Sequence, residues 1–492
     1  MHDQDPAEGM FRTIFLGMAS VAVSSVAVRL LSFGTHIALG WILAKDDFAL
    51  WGIATSVGIL VAGLRNAGTG QILIQEGSSQ GERVRSIAQF AWLSSFVAAA
   101  ILVMMAPIAS WFFDDTEVVW LVLVMAGAVT ISSPAIIHRA RLSVDLRFRE
   151  VALLDAVMSF SIFSSMVILA VAGLGAMAFA VAQVVGNLVA WTLYRRRAGP
   201  VPLGLGLTRE RGLDIFRAAK WLITGAFATA LAMSGDYLVV GRLARESLAD
   251  YYFGFQLSLV ALSLFGPAIQ RVMLPSFVRL NDLERQVRAY ERSIQVVVLA
   301  AAPVALSMAF LAPSLVPLIW AGKWDEAIPV IQIMAVSLLL PMLGQLSEAL
   351  LQSRGMWSYD ALLKLLAGVL IVVGAIIGTQ IGGLVTIAVL VAIARSLVFP
   401  ALVFFATQGT SVSAGEILRS VGARVLSFAL LGGGLLVVVN VFPVMSEASW
   451  RAVLLNATMV LSSSLLLIRL LFPDDLSRIT RMVRAAVAPT GS

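Results

Sequence analysis

The sequence predicts an all-α polytopic membrane protein of about fourteen transmembrane helices, built as two six-span repeats followed by two further spans. Three observations predict it. The composition is too apolar for a water-facing globule. Apolar runs long enough to cross lipid follow one another, with loops whose charge alternates. A set of sequence landmarks also occurs twice, in the same order.

Hydrophobic residues make up 59% of the 492 positions and charged residues 13%, with a mean hydropathy of +0.91. Soluble domains carry roughly 25% charged residues, so lipid must be the solvent for much of this surface. The formal net charge is +6. The cations are nearly all Arg placed between apolar runs, which points to membrane topology rather than nucleic acid. The absence of Cys excludes disulfides and thiolate metal sites. The opening MHDQDPAEGM is short and acidic. It lacks the basic region and cleavage site of a secretory signal, so the first apolar run is expected to be retained as a span.

A spanning helix needs ~20 apolar residues. The runs that qualify lie near 13–43, 47–73, 85–110, 117–138, 150–171, 175–194, 214–241, 248–272, 288–312, 326–352, 359–378, 383–407, 416–440 and 449–472. One set of loops carries Arg139, Arg141, Arg147 and Arg149; Arg195, Arg196, Arg197, Arg209 and Arg211; Arg279, Arg285, Arg288 and Arg292; and Arg478, Arg481 and Arg484. The alternate set is short or acidic, as in Lys45-Asp46-Asp47, Asp114-Asp115-Thr116-Glu117 and Gly173-Leu174-Gly175. Basic loops resist translocation, so the Arg-rich set is expected in the cytoplasm with both termini. The loop holding Arg242 and Arg245 runs against this pattern: it should be external, yet it is basic.

The repeat is read from paired landmarks. Gly40 to Gly52 joins the first two spans, as Gly241 to Gly254 joins the seventh and eighth. Ala106-Pro107 matches Ala312-Pro313, Pro134 matches Pro341, and Ala152-Leu-Leu-Asp155 matches Ala361-Leu-Leu-Lys364. All recur at ~200 residues, as duplication of a six-span unit requires. Six is even, so both units share one orientation, and a substrate is expected between them near mid-membrane. The expected organisation is an N-lobe at 1–194, a basic cytoplasmic linker at 195–213 containing Pro200, Pro202 and Gly204, a C-lobe at 214–407, and an appendage with a basic tail at 408–492.

Ionisable groups at mid-membrane cost at least ~2.5–3.5 kcal/mol, so they face partners or water. Arg29 lies deep in the first span, with Ser25, Ser32 and His36 on its face. Arg395 is equally deep in the twelfth. Arg65, with Asn66 and Gln71, and Arg271, with Gln270, are shallower. These cations, with His36, are the candidates for gripping an anionic substrate group, because Arg binds phosphate oxygens bidentately. Arg65, Arg271 and Lys364 also lie within snorkelling reach of the inner surface. Asp155, Asp236, Glu348 and Lys364 are candidates for ion coupling or gating. Asp155 has the alternative of a simple ion pair with Arg147 or Arg149, and Asp236 and Glu348 that of structural pairing.

Catalytic signatures are missing. There is no GxxxxGK[ST] phosphate loop, no HExxH and no GxSxG, and no aqueous segment exceeds the linker. A secondary transporter or lipid-handling protein without cofactor or metal is expected, not an enzyme.

The chain resembles the Wzx-like and ExoT-like polysaccharide flippases, a bacterial branch of the multidrug/oligosaccharidyl-lipid/polysaccharide (MOP) superfamily. The residues carrying the resemblance are Leu43-Ala-Lys-Asp-Asp-Phe-Ala-Leu-Trp51, Asn66-Ala-Gly68 and Ile72-Leu-Ile-Gln75. Gly235-Asp-Tyr-Leu-Val-Val-Gly-Arg242, Val272-Met-Leu-Pro-Ser-Phe277 and Trp320-Ala-Gly-Lys-Trp324 complete them, in order along nearly the whole chain. Asn66-Ala67-Gly68 stands where many relatives have Asp-Leu-Gly, and Ala49 where many have Gly. The resemblance implies two lobes forming a V that alternates between inward-open and outward-open around a central cavity. It also implies a polyprenyl-pyrophosphate-linked oligosaccharide as substrate, for exopolysaccharide, capsule or O-antigen (lipopolysaccharide) synthesis, with Arg29 in a cationic cavity. The location implied is the bacterial inner membrane. The partners implied are the lipid-linked substrate and membrane lipids, with polymerase or export machinery beyond them. The alternative within the superfamily is a cation-coupled multidrug efflux antiporter, which would want acidic residues in the cavity. A scaffold for a synthase would need neither repeat nor buried Arg.

Overall fold

The computed structural model describes residues 27–77, 81–200, 206–262, 273–274, 276–280, 282–445 and 447–477, which form helices joined by turns and contain no strand. The helices are α1 (Ala27–Ile42), α2 (Lys45–Asn66), α3 (Thr69–Glu76), α4 (Glu82–Phe113), α5 (Glu117–Val144), α6 (Phe148–Val171), α7 (Met177–Ala198), α8 (Arg209–Leu243) and α9 (Arg245–Leu262). They continue with α10 (Leu283–Trp320), α11 (Ile328–Ser337), α12 (Leu339–Ser353), α13 (Trp357–Ile381), α14 (Leu384–Leu397), α15 (Phe399–Thr407), α16 (Ala414–Val441) and α17 (Trp450–Leu471). In hydrocarbon every backbone polar group must be satisfied within its own segment, which leaves helices as the means for these runs to cross.

Among the described residues, 12 helical segments are long and apolar enough to span, with α2–α3, α11–α12 and α14–α15 each forming one interrupted span. The shorter α1 and α9 occupy the first and eighth predicted spans. The remainders of those two spans lie outside the described residues, as do Ser25, Gln270, Arg271 and the tail arginines Arg478, Arg481 and Arg484.

The helices are inverted relative to water-soluble ones. On α4 the large residues Leu93, Phe96, Met104, Ile108 and Trp111 are exposed, while Ala88, Ala91, Ser95, Ala98, Ala106 and Ala109 are buried. On α17 the buried set is Ala452, Asn456, Val460, Ser464 and Ile468, strictly every fourth residue. Small and weakly polar residues let helices approach closely where lipid offers no hydrophobic drive to associate them.

By contact, the chain divides into two compact units. One holds Met1–Tyr252 with Lys364–Thr379, and the other holds Phe253–Leu363 with Gln380–Ser492. The lobe boundary expected near residue 214 was drawn from the repeat; these units are drawn from contact, and α8 packs tightly inside the first. A Cβ on Gly63 of α2 would lie 2.5 Å from the Ile223 carbonyl oxygen, and one on Gly68 would lie 2.7 Å from Leu222 Cβ. A Cβ on Gly368 of α13 would likewise meet Leu231 of α8 at 2.8 Å. Three hydrogen-only positions therefore bring α2 and α13 against α8. Between α2 and α3, Ala67 (φ 43°) and Gly68 (φ 64°) are both left-handed and break the span. For Ala this conformation costs roughly 1–2 kcal/mol.

In the first unit the loop contacts form two groups. At one end of the first unit, Lys45 pairs with Asp250 at 2.8 Å. There, too, Asp47 accepts the backbone N–H groups of Ala44 and Ala176, each at 2.8 Å. Arg245 pairs with Asp115, and Arg242 lies over the Phe112 ring at 5.6 Å. The basic loop that ran against the charge pattern is thus neutralised by the acidic loop beside it. At the other end, Arg211 pairs with Glu82 at 2.5 Å and Arg147 with Glu150 at 2.7 Å. Arg147 also donates to the carbonyl oxygen of Arg197 at 3.0 Å, near the C-terminus of α7. In the second unit, Arg354 occupies the corresponding turn and donates to the carbonyls of Ala406 and Gln408, each at 2.8 Å, at the end of α15. Each half of the repeat therefore closes its sixth span with a guanidinium from the turn before its fifth.

Candidate functional site

The candidate residues lie on α1, α2, α6, α8 and α13 in the first unit and on α12 and α14 in the second. Arg29 and His36 lie on α1, two turns apart and both half-buried. The ring nitrogen Nδ1 of His36 is 2.8 Å from the Ser32 carbonyl oxygen. The stripe Arg29-Ser32-His36 is therefore continuous along one helix face, as the spacing predicts. Arg65 is exposed on the last turn of α2, immediately before the Ala67–Gly68 break. Its carbonyl oxygen accepts from Ser95 Oγ at 3.0 Å, which ties this end of α2 to α4.

Arg395, in the second unit, is buried, with 5% of its surface exposed. Its guanidinium stacks over the Phe255 ring at 4.6 Å. A buried guanidinium over an aromatic face gains on the order of 2 kcal/mol from the ring quadrupole. Arg271, the fifth of the predicted cationic group, lies outside the described residues.

The carboxylates have well-defined partners. Asp155 is held by Arg139, with Nε and Nη2 at 3.0 and 2.9 Å from its two oxygens, and by the Tyr194 hydroxyl at 2.6 Å. The expected partners Arg147 and Arg149 do not reach it; Arg147 is engaged with Glu150. A bidentate guanidinium satisfies the fork geometry of a carboxylate and adds charge to the hydrogen bonds. Asp155 is thus the acceptor of a three-helix clamp joining α5, α6 and α7. Asp236 of α8 is fully buried and accepts from the Tyr251 hydroxyl at 2.7 Å. Glu348 on α12 and Lys364 on α13 are half-buried. Gln352, on the same helix, donates to the buried Asp360 at 2.9 Å.

Sequence reasoning missed Arg139 and Tyr194 as the Asp155 clamp, Tyr251 as the Asp236 partner, and the Lys45–Asp250 pair. The last carried a usable signal, since Lys45 and Asp250 sit in the two segments matched by the internal repeat.

At the same end of the first unit is an aromatic cluster. Phe179 stacks on Trp51 at 5.3 Å and meets Phe48 edge-on at 5.6 Å, while Tyr237 packs on Tyr252 at 5.1 Å. Asp236 and Asp250 both approach this cluster from α8 and α9, where apolar surroundings strengthen any hydrogen bond they accept.

Comparison with known proteins places this geometry. Residues 38–329 match the family described as polysaccharide biosynthesis protein. The chain is 20% identical over 390 residues to the teichuronic acid biosynthesis protein TuaB of Bacillus subtilis strain 168, covering 77% of this chain and 79% of that protein. It is 25% identical over 169 residues to the lipopolysaccharide biosynthesis protein WzxC of Escherichia coli strain K12, covering 34% of each. Among solved structures, the lipid II flippase MurJ in an inward closed conformation superimposes with a TM-score of 0.74 at 11% identity, over 92% of this chain and 99% of that one. An inward-facing multidrug resistance transporter of the MATE family, MOP superfamily, gives 0.61 at 15% identity over 81% and 99%. At these identities the likeness is one of fold.

Proposed function

The chain belongs to the polysaccharide biosynthesis protein family, and from that premise we propose that it is a flippase moving polyprenyl-pyrophosphate-linked oligosaccharide units across the bacterial inner membrane. The observation that carries this reading is the joint one: family membership across residues 38–329 on a fold like that of the lipid II flippase MurJ. TuaB and WzxC, named for teichuronic acid and lipopolysaccharide biosynthesis, support a saccharide-bearing substrate.

Unaided passage of such a head group is blocked by desolvation of its hydroxyls and charges. In the proposed mechanism, two six-span lobes, 1–194 and 214–407, alternate access to a polar cavity, with the 408–492 segment appended and both termini in the cytoplasm. Arg29, on its polar helix face, attracts the pyrophosphate. His36 extends the face by two turns, and Arg65 stands at the entrance beside the α2 break. Arg271 and Arg395 are the corresponding cations of the second half; Arg395, stacked on Phe255, orients rather than contacts the substrate. Asp236, Glu348 and Lys364 serve coupling or gating.

The antiporter alternative needs a carboxylate free to exchange cations. Asp155, one of the candidate coupling carboxylates, is already clamped by Arg139 and Tyr194.

The test is genetic and biochemical. A deletion strain is expected to accumulate lipid-linked repeat units on the cytoplasmic leaflet, with rescue by the wild type and not by Arg29→Ala at equal protein level. Normal export through Arg29→Ala would remove Arg29 from the site. Absence of accumulation would remove the flippase itself.

A further inference from the structure

We infer that a groove at the Arg-rich end of the first unit, separate from every residue invoked above for transport, is a binding site for a phosphate-bearing group. The groove is lined by Trp92 on α4, Pro134 and His138 on α5, Trp191 and Arg195 on α7, and Pro200. α5 packs against both α4 and α7, so it forms the floor and they form the walls.

Two independent features give the groove its chemistry. His138 is 96% removed from solvent (4% exposed), and its Nδ1 has no hydrogen-bond partner among the described residues. Buried polar groups are nearly always satisfied, so a buried imidazole nitrogen lining a groove without a partner marks a position that a ligand fills. Arg195, in the last turn of α7, is exposed and has no carboxylate partner among the described residues. This contrasts with Arg139, Arg147 and Arg211, each of which is paired. A guanidinium at the mouth and an imidazole on the floor together suit phosphate oxygens.

The rest of the lining says what the phosphate is attached to. Trp92 and Trp191 present broad apolar faces with one polar edge, the chemistry that seats Trp at the boundary between head groups and acyl chains. His138 lies 6 residues before the C-terminus of α5, and Ala88, which also lines the groove, lies 6 residues after the start of α4. Both are therefore about 9 Å inside the helix ends at 1.5 Å rise per residue, the depth of a glycerol backbone beneath a head group. An anionic phospholipid of the same leaflet is thus the source that best fits the groove. A soluble phosphate ester shares the phosphate chemistry but leaves the two indoles unused.

The test uses the full chain, purified in non-ionic detergent, with lipid binding read by native mass spectrometry. Phosphatidylglycerol is titrated against diacylglycerol, which has the same chains and no phosphate, and glycerol 3-phosphate is the soluble competitor. The expected result is a bound phosphatidylglycerol held at least tenfold tighter than diacylglycerol. His138→Gln and Arg195→Gln should each weaken it about tenfold, while Arg209→Gln should leave it unchanged. Competition by millimolar glycerol 3-phosphate would identify the soluble ester as the source; no competition identifies the lipid. Equal binding of phosphatidylglycerol and diacylglycerol, or binding indifferent to Arg195→Gln, overturns the inference. Arg195 is exposed, so its variant reports on the site even if the His138 variant does not fold.

Discussion

The Lys45–Asp250 pair makes a quantitative prediction. The ammonium and carboxylate are 2.8 Å apart, with Asp250 nearly sealed and Lys45 about one-third exposed (side chains 2% and 35%). At an effective dielectric of 20, Coulomb attraction at that distance is ~6 kcal/mol. Exposure of Lys45 and the cost of ordering its side chain reduce the net value, and exposed pairs retain only ~0–1 kcal/mol. Asp250 belongs to the buried class, where loss of the partner costs roughly 3–5 kcal/mol. For this mixed pair the coupling is expected at about 2 kcal/mol. The assay is a double-mutant cycle of Lys45→Met, Asp250→Asn and the double variant, read as unfolding midpoints in detergent. Lys45→Met should be the most damaging because it takes the cation away from a buried carboxylate, and Asp250→Asn should recover most of that loss. Strictly additive effects would refute the reasoning. The chain has no Cys, so Lys45→Cys with Asp250→Cys can be bridged cleanly by a short bis-maleimide. Under the proposed transport cycle, bridging should stop export.

Gly175 has φ 53°, and a Cβ there would lie 2.5 Å from Asp47 Oδ1; Gly175→Ala should destabilise by about 1–3 kcal/mol, seen as a lowered melting midpoint. Gly63→Ala should push α8 from α2 at similar cost, seen as faster proteolysis in the loop before α8. Arg424 donates to Asp475 at 2.5 Å and lies over Phe472 at 4.9 Å, holding the segment after α17 to α16. Arg424→Met should cost roughly 3–5 kcal/mol, and adding Asp475→Leu should return much of it.

The helical spans were legible because runs of apolar residues leave little alternative in lipid. The polar face of α1 was legible because helix periodicity puts Arg29, Ser32 and His36 in one line. The Asp155 partner was not. Arg147 and Arg149 are nearest in sequence, but the turn at 145–147 directs Arg147 to Glu150 and the Arg197 carbonyl, while Arg139 faces α6 from the preceding helix. Depth in a span can be counted along the chain, but facing cannot. Arg395 sits midway along the α14–α15 segment, and the ring it meets is Phe255, 140 positions earlier. The break at Ala67–Gly68 was hidden for another reason: an Ala in left-handed backbone follows from how α8 presses on α2, not from local propensity.

The guanidinium locks at Arg147 and Arg354 act on main-chain oxygens. Every amino acid supplies that acceptor, so the receiving helix can exchange its side chains freely without losing the lock. Divergence of two duplicated halves is then constrained at a single position per half, which is one physical route by which an ancestral architecture outlives the resemblance of its letters.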